Sequence, residues 1–247
     1  MPNQRLQQRL EQLQKQPPVS HRRPWFRRPW GRLALFFGVV LMAGLAYYLY
    51  LTVRYVTQIK ELNLGQSLEQ LKNDEVFNKL VTSDDPIIGP PQPQVIIVAF
   101  EDFQCPFCLK AQPILKQMLA KYQDKVAFIY RDFPLRDIHD QAQGSAEAAN
   151  CALDQGKFWE YHDQLFAQQD QLSEVTYRKI AESLGLDLSA FNTCLNNHKY
   201  ATEIQADLQT GLDLGVIGTP TFFINGQIFP GVLPMEVWDK VLGILTS

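Results

Sequence analysis

Val95 to Cys108 reads VIIVAFEDFQCPFC. Its first six residues are all apolar. Such a run, with no polar alternation, suits a strand buried on both faces, as in a sheet covered by helices. Glu101 and Asp102 end the run, and Cys105 and Cys108 follow at CxxC spacing. Pro106 to Tyr122 then places Phe107, Ala111, Ile114, Leu115, Met118 and Tyr122 on one helical face. Pro113 inside that helix predicts a kink. Val126 to Phe133 (VAFIYRDF) is a second apolar run. Strand, helix and strand form a βαβ unit, which implies parallel strands and a right-handed crossover.

A CxxC pair alone is ambiguous, because zinc sites use the same spacing. A structural zinc needs two more ligands at compatible spacing. The other cysteines, Cys151 and Cys194, lie 43 and 86 residues beyond Cys108 and form no second close pair. No metal is therefore expected. Position sharpens the redox reading. A cysteine where a helix opens faces unpaired N–H groups and the positive end of the helix dipole. That setting favours the thiolate, the species that attacks disulfides. Cys105 is expected to be this nucleophile, and Cys108, one turn inward, the covered resolving thiol. Phe107 offers neither a charge nor a hydrogen bond, so thiolate stabilisation should be moderate.

Residues 135–219 contain no proline and carry helical stripes, such as Phe158, Trp159, His162, Leu165 and Phe166, or Ala201, Ile204, Leu208 and Leu212. Gly185 followed by Asp187 reads as a helix stop and a helix start. We expect four or five helices over about 138–215. Thr221 to Asn225, a turn at Asn225-Gly226, and Gln227 to Phe229 read as a hairpin ended by Pro230 and Gly231. A last helix is expected from about Leu233 to Leu245. The order is βαβ, helical block, ββα: an α/β domain with an inserted helical block.

Upstream, Asp85 to Gln94 holds Pro86, Gly89, Pro90, Pro91 and Pro93, a composition that marks a domain boundary. Charge is divided along the chain. Residues 1–60 carry ten Lys/Arg and one acid, +9, and residues 61–247 carry thirteen and twenty-five, −12. Between the basic tail, 1–32, and a polar stalk or spacer, 54–84, runs Leu33 to Val53, 21 residues without a charge. That length crosses a ~30 Å hydrocarbon core. Tyr47, Tyr48 and Tyr50 suit an interfacial aromatic belt, and Arg22, Arg23, Arg27, Arg28 and Arg32 place the N-terminus in the cytoplasm. The expectation is one transmembrane helix with the following domain, 85–247, outside the cytoplasm. Nucleic acid as a partner of the basic tail is the weaker reading, because the apolar run already accounts for the flanking charge.

FEDFQCPFC at 100–108, CALDQGKFWEYHDQLF at 151–166 and GTPTFFINGQIFPG at 218–231 together resemble the DsbA-like branch of the thioredoxin superfamily. The resemblance covers roughly residues 85–247. It implies a thioredoxin-like fold and thiol–disulfide exchange through Cys105 and Cys108, with Pro106 and Phe107 between them. It also implies a cis-proline facing that pair, at Pro220 after Thr219, that presents backbone to an extended substrate. Members often carry a buried acid six residues before the first cysteine. That position is Ala99 here, which leaves Glu101 and Asp102 as candidate proton carriers, although Glu101 reads better as a solvated loop carboxylate.

Cys151 and Cys194 are read as a structural disulfide of an oxidising compartment, over a second redox pair or two buried thiols. His139, His162 and His198 show no metal or triad pattern, and His162 reads as a satisfied core residue. No cofactor is implied. The expected function is the introduction of disulfides into exported proteins. The resemblance alone adds a quinone-linked membrane oxidase as redox partner. The alternatives are a tethered reductase or isomerase served by a membrane electron donor, and a redox-inactive binding module or chaperone.

Overall fold

The computed structural model describes residues 37, 40–50 and 75–246. The chain divides into two compact units, 1–61 and 62–247. In the first, residues 40–50 are helical and exposed, with the rings of Tyr47 and Tyr50 stacked at 6.5 Å. Among the described residues no helix is long and apolar enough to cross a membrane. The basic tail, both ends of the expected 33–53 span and the stalk up to residue 74 lie outside the described residues.

The second unit is a thioredoxin-like α/β fold with a helical insertion. It opens with helix α1 (Glu75–Leu80) and a two-residue strand β1 (Ile87–Ile88). Strand β2 (Val95–Glu101), helix α2 (Pro106–Tyr122) and strand β3 (Val126–Asp132) form the expected βαβ unit. The insertion is α3 (Ala142–Leu153), α4 (Phe158–Ala167), α5 (Glu174–Ser183), α6 (Leu188–Asn196) and α7 (Ala201–Asp213). The hairpin of β4 (Thr221–Ile224) and β5 (Gln227–Pro230) and the helix α8 (Met235–Leu245) close the chain.

The sheet order is β1-β3-β2-β4-β5, with β2 and β3 parallel and the other pairs antiparallel. All seven residues of β3 are buried. This matches the two-sided burial that an unbroken apolar run implies. Val95 pairs with Val126 and Glu101 with Asp132, so β2 and β3 end together, at the cysteine end of the sheet. Asn225 (φ 47°) and Gly226 (φ 79°) both take the left-handed conformation that a tight hairpin turn requires. The Asn225 carboxamide oxygen also accepts from the Ile96 N–H at 2.9 Å, fixing the turn to the central strand.

The folded unit begins earlier than the Pro-rich segment implies. Phe77 and Leu80 of α1 are buried, and Leu80 packs with Val98, Phe100, Ile129, Phe133, Val216 and Phe223. Polar contacts fasten this segment as well. Arg131, itself buried, donates through one terminal nitrogen to the carbonyls of Lys79 and Leu80, at 3.2 and 3.1 Å. Its Nε lies 3.2 Å from Asp85, and its other terminal nitrogen 2.5 Å from Asp207 of α7. The sequence placed Asp85 at a boundary, but it is half of a buried ion pair. Burial pushes its carboxyl up to about 6 even though Arg131 opposes the shift. Asp132, alongside, is pushed well above the ordinary carboxylate range by burial, and it accepts from the Asn150 amide at 2.7 Å.

Cys151 of α3 and Cys194 of α6 are joined by a disulfide. The bond closes a loop with a sequence separation of 43. Its contribution in the chain-entropy model is about 4 kcal/mol.

Candidate active site

Cys105 is the residue that caps α2, in extended conformation (φ −72°, ψ 122°), with Pro106 in the first turn. A capping side chain ordinarily accepts from the N–H groups at the second and third helical positions. Here those positions are Phe107 and Cys108; the Cys105 side chain makes no capping hydrogen bond to them, although both amides cradle the site and favour its thiolate. Pro106 has no N–H to offer and leaves the cradle to the other two. The Cys105 thiol is lowered to about 6. The largest cause is a hydrogen bond from the Cys108 thiol. Burial works against the shift, and contact with Thr219 and the Cys108 and Phe107 amides adds to it.

Cys108 has the opposite environment. It is fully buried, and desolvation pushes its thiol well above the ordinary value. The nearby Cys105 sulfur and the charge of Glu101 push it the same way. The pair is thus one readily ionised sulfur and one held protonated, both buried, with Cys105 3% exposed and Cys108 0%. Both are free thiols.

Thr219 and Pro220 close the opposite wall. Their peptide bond is cis, and the Cys105 sulfur lies 3.4 Å from the Thr219 carbonyl oxygen. Phe107 is exposed, and a groove of about 300 Å³ runs from it past Ile217, the cis-proline and Val232. Ile217 is 92% exposed and stands between this groove and a second one reaching Leu135, Ile138 and Leu212.

The two acids before the pair take different places. Asp102 is a bracket for the loop. One carboxylate oxygen accepts from the Gln104 N–H at 2.8 Å, and the other from the Leu135 N–H at 2.9 Å and faces His139 Nδ1 at 2.7 Å. Its side chain is fully committed there, although its backbone N–H favours the Cys108 thiolate. Glu101 corrects the sequence reading. It is not solvated but 1% exposed, the last residue of β2. The Gln112 amide lies 3.3 Å from both of its oxygens and from the Cys108 carbonyl, so it bridges the acid to the second cysteine. The alternation of a strand hid this. Both β2 faces are covered, so a residue at the strand end is buried whichever way it points.

His162 is only half satisfied, against expectation. It is buried, with Nδ1 at 3.2 Å from Asp163, while Nε2 has no hydrogen-bond partner. Gln169 was not singled out in the sequence. Its amide donates to the Phe103 and Cys105 carbonyls at 2.7 and 3.0 Å and ties the cysteine loop to the helical block. Nothing in its Gln-rich surroundings would mark it. Among the described residues no group of His, Cys, Asp and Glu is arranged to hold a metal ion.

The two sulfurs should be alkylated at well-separated pH. Alkylation of the dithiol chain by iodoacetamide should rise through a midpoint near pH 6, where Cys105 ionises. Cys108 should stay unlabelled until far higher pH. Mass mapping of the labelled peptide checks both, and a single midpoint near 9 would contradict the cradle.

A dithiol opening a helix at the end of such a sheet, faced by a cis-proline, defines a thioredoxin-like protein. The chain belongs to the family described as Thioredoxin, which it matches over residues 81–243. Similar solved structures are DsbA-like oxidoreductases of thioredoxin fold. A thioredoxin-like oxidoreductase from Silicibacter pomeroyi shares 24% identity, with a TM-score of 0.62 over 70% of this chain and 97% of that one. The thiol-disulfide exchange protein alpha-DsbA2 from Wolbachia pipientis shares 26%, with a TM-score of 0.61 over 68% and 90%. Among curated proteins, the Na(+)/H(+) antiporter NhaA 3 of Salinispora tropica is 40% identical over 152 residues, 62% of this chain and 23% of the antiporter. The chain spans about a quarter of the length of the curated relatives it matches.

Proposed function

We propose that this protein is a thiol–disulfide oxidoreductase that introduces disulfides into exported proteins. One observation carries the reading: Cys105 caps α2 with its sulfur 3.4 Å from the carbonyl that precedes the cis-proline, and Cys108 lies fully buried one turn further in. In the oxidised form a substrate thiolate attacks the Cys105 sulfur, and the bond to Cys108 breaks. Cys108 leaves with the electron pair and takes up a proton. The substrate's second thiolate then attacks the mixed disulfide and expels Cys105 as a thiolate, its most stable form here. Two substrate thiols become one disulfide, and the enzyme keeps the two electrons until a membrane oxidase, quinone-linked, removes them.

The Thr219 carbonyl and the neighbouring groove offer an extended substrate a backbone acceptor and apolar walls. Thiolate stabilisation supports the oxidising direction. A fall from 9.0 to about 6 favours the dithiol form at pH 7 by about tenfold, or about 30 mV. The apolar run 33–53, with its basic flank, supports a membrane anchor with an extracytoplasmic domain. The antiporter relatives, named for ion exchange, are in keeping with a site at a membrane, and their transport activity belongs to the much longer proteins that carry it.

Two measurements test the proposal. The full chain in its oxidised form should form disulfides in a reduced, unfolded protein. Its potential, equilibrated against glutathione, should lie well above the ~−270 mV of thioredoxin. A potential at or below that value would make it a reductase. Failure to exchange with any thiol or disulfide would end the enzyme reading.

A further inference from the structure

Cys108 must gain a proton whenever it leaves and lose one whenever it attacks, yet it has no contact with water. Glu101, the acid bridged to it by Gln112, is sealed as well. A buried carboxylate with no exit could shuttle one proton and then stall. The unexplained atom nearby is His162 Nε2, a buried ring nitrogen without a hydrogen-bond partner. Such an orphan is costly to bury and calls for a reason.

We propose that His162 is the proton exit of this site, carrying protons between the buried Glu101 carboxyl and the protein surface. The inference rests on the thiol–disulfide reading above. His162 Nε2 lies 3.8 Å from Glu101 Oε2, longer than a hydrogen bond and within reach of a small rotation of either side chain. On the far side of the ring, Nδ1 meets Asp163 at 3.2 Å, and Asp163 pairs with Lys116 at 2.7 Å. The side chains of Asp163 and Lys116 are 45% and 58% exposed. The observed line therefore runs from a sealed carboxyl, beside the second cysteine, through the imidazole to open solvent.

When Cys108 attacks, its proton passes to Glu101. The imidazole then takes that proton at Nε2 and releases the one on Nδ1 to Asp163 and water. When Cys108 leaves, the same steps run backwards. The rings of Phe103, Tyr130, Phe158, Trp159 and Phe166 pack around the imidazole and keep water from short-circuiting the route.

The other ionisable groups facing this spot are spoken for. From the loop after β2, the Asp102 carboxylate is held by the Gln104 and Leu135 amides and by His139. From β3, Tyr130 is kept neutral by burial, and Asp132 is bonded to Asn150. From α2, Lys116 acts through Asp163. Burial alone would lower the His162 pKa, but Asp163 and Glu101 outweigh it and raise it above the ordinary value. Those two carboxylates thus favour a proton on the ring in spite of its burial. His162 acts through Glu101 and is a positioning residue, so its signature is a pH profile.

The test mixes the full-length dithiol chain with excess glutathione disulfide from pH 5 to 9, with acid quench and mass spectrometry. The adduct on Cys105 is resolved when Cys108 attacks it, forming the Cys105–Cys108 bond and expelling glutathione thiolate. His162→Gln should slow resolution at pH 7 by about tenfold to a hundredfold and remove an inflection near neutral pH. Asp163→Asn, at the surface, should keep the inflection but move it to lower pH, because the carboxylate that raises the imidazole is gone. Wild-type profiles from both variants would overturn the proposal, as would the same slowing at every pH. If His162→Gln does not fold, Asp163→Asn decides alone. Absence of any glutathione adduct on the wild-type chain would remove the thiol–disulfide reading and this inference together. Adduct formation with unchanged profiles removes only the inference.

Discussion

Cys105→Ser is expected to abolish disulfide exchange, a loss of at least about a thousandfold, whereas Cys108→Ser should stop the reaction halfway and accumulate a mixed disulfide on Cys105. The asymmetry has a physical origin. A serine oxygen at position 105 would still face the amides of Phe107 and Cys108, but it cannot form the sulfur–sulfur bond. The remaining thiol, Cys108, cannot take over. It is buried, protonated and without a cradle. Cys108→Ala should trap the same complex, and there the nucleophile also loses its largest thiolate-stabilising contact, the Cys108 thiol. Its alkylation midpoint should therefore rise from about 6 while remaining below 9.0. Gel separation without reductant, with a disulfide-bonded protein as bait, reads the trapped complex: the Cys105 thiolate opens the bait disulfide, expelling one bait thiolate, and no Cys108 thiol is there to release it. Exchange at the wild-type rate by Cys105→Ser would leave the site without a function.

The second large effect is on folding. Arg131→Met should cost about 3–5 kcal/mol, because it strands Asp85 and Asp207 as buried carboxylates without their cation. It also removes two donors from the Lys79 and Leu80 carbonyls. Against a total stability of about 5–15 kcal/mol, that loss lowers the melting temperature by roughly 6–20 °C. The pH dependence gives the check its sign. Asp85 is already raised to about 6, and removing Arg131, which lowers it, raises it further. A carboxyl raised above its unfolded value of 3.8 binds its proton more tightly in the folded chain. Its stabilising contribution is complete below that value and is lost as the pH rises through the folded pKa. The deficit of Arg131→Met should therefore be smaller at pH 5 than at pH 8. Equal deficits at both, by thermal unfolding, would mean that the guanidinium acts by packing alone. Arg131→Met with Asp207→Asn should recover part of the loss.

The sequence was most informative where periodicity and chain punctuation agree. The βαβ unit, the helical block and the Asn225-Gly226 hairpin sit within a few residues of their expected bounds. The place of the cysteines was legible because CxxC stands where a strand meets a helix, which puts Cys105 at the helix cap and Cys108 one turn inside. Other features were not legible because they depend on tertiary neighbours. Strand β1 has only two residues, too few for any pattern, and exists because it pairs with Phe128 and Ile129. The buried state of Glu101 follows from what covers both faces of β2. The half-paired His162 lies on an apolar stripe that any core histidine would share, and only the position of Glu101 across from it reveals the difference. Pro-rich composition marked residues 85–94 as a boundary, and composition cannot show that Asp85 is claimed by Arg131.

That claim has a mechanical consequence. Whatever holds the chain before Glu75, a pull from that side enters the folded unit through α1, and the first firm attachment it meets is Arg131, gripping the Lys79 and Leu80 carbonyls and Asp85. Tension is thereby taken up by β3 before it can travel on to β2 and the cysteine loop. The guanidinium works like the strain relief on a cable, so that tugging at the lead leaves the contacts at the plug undisturbed.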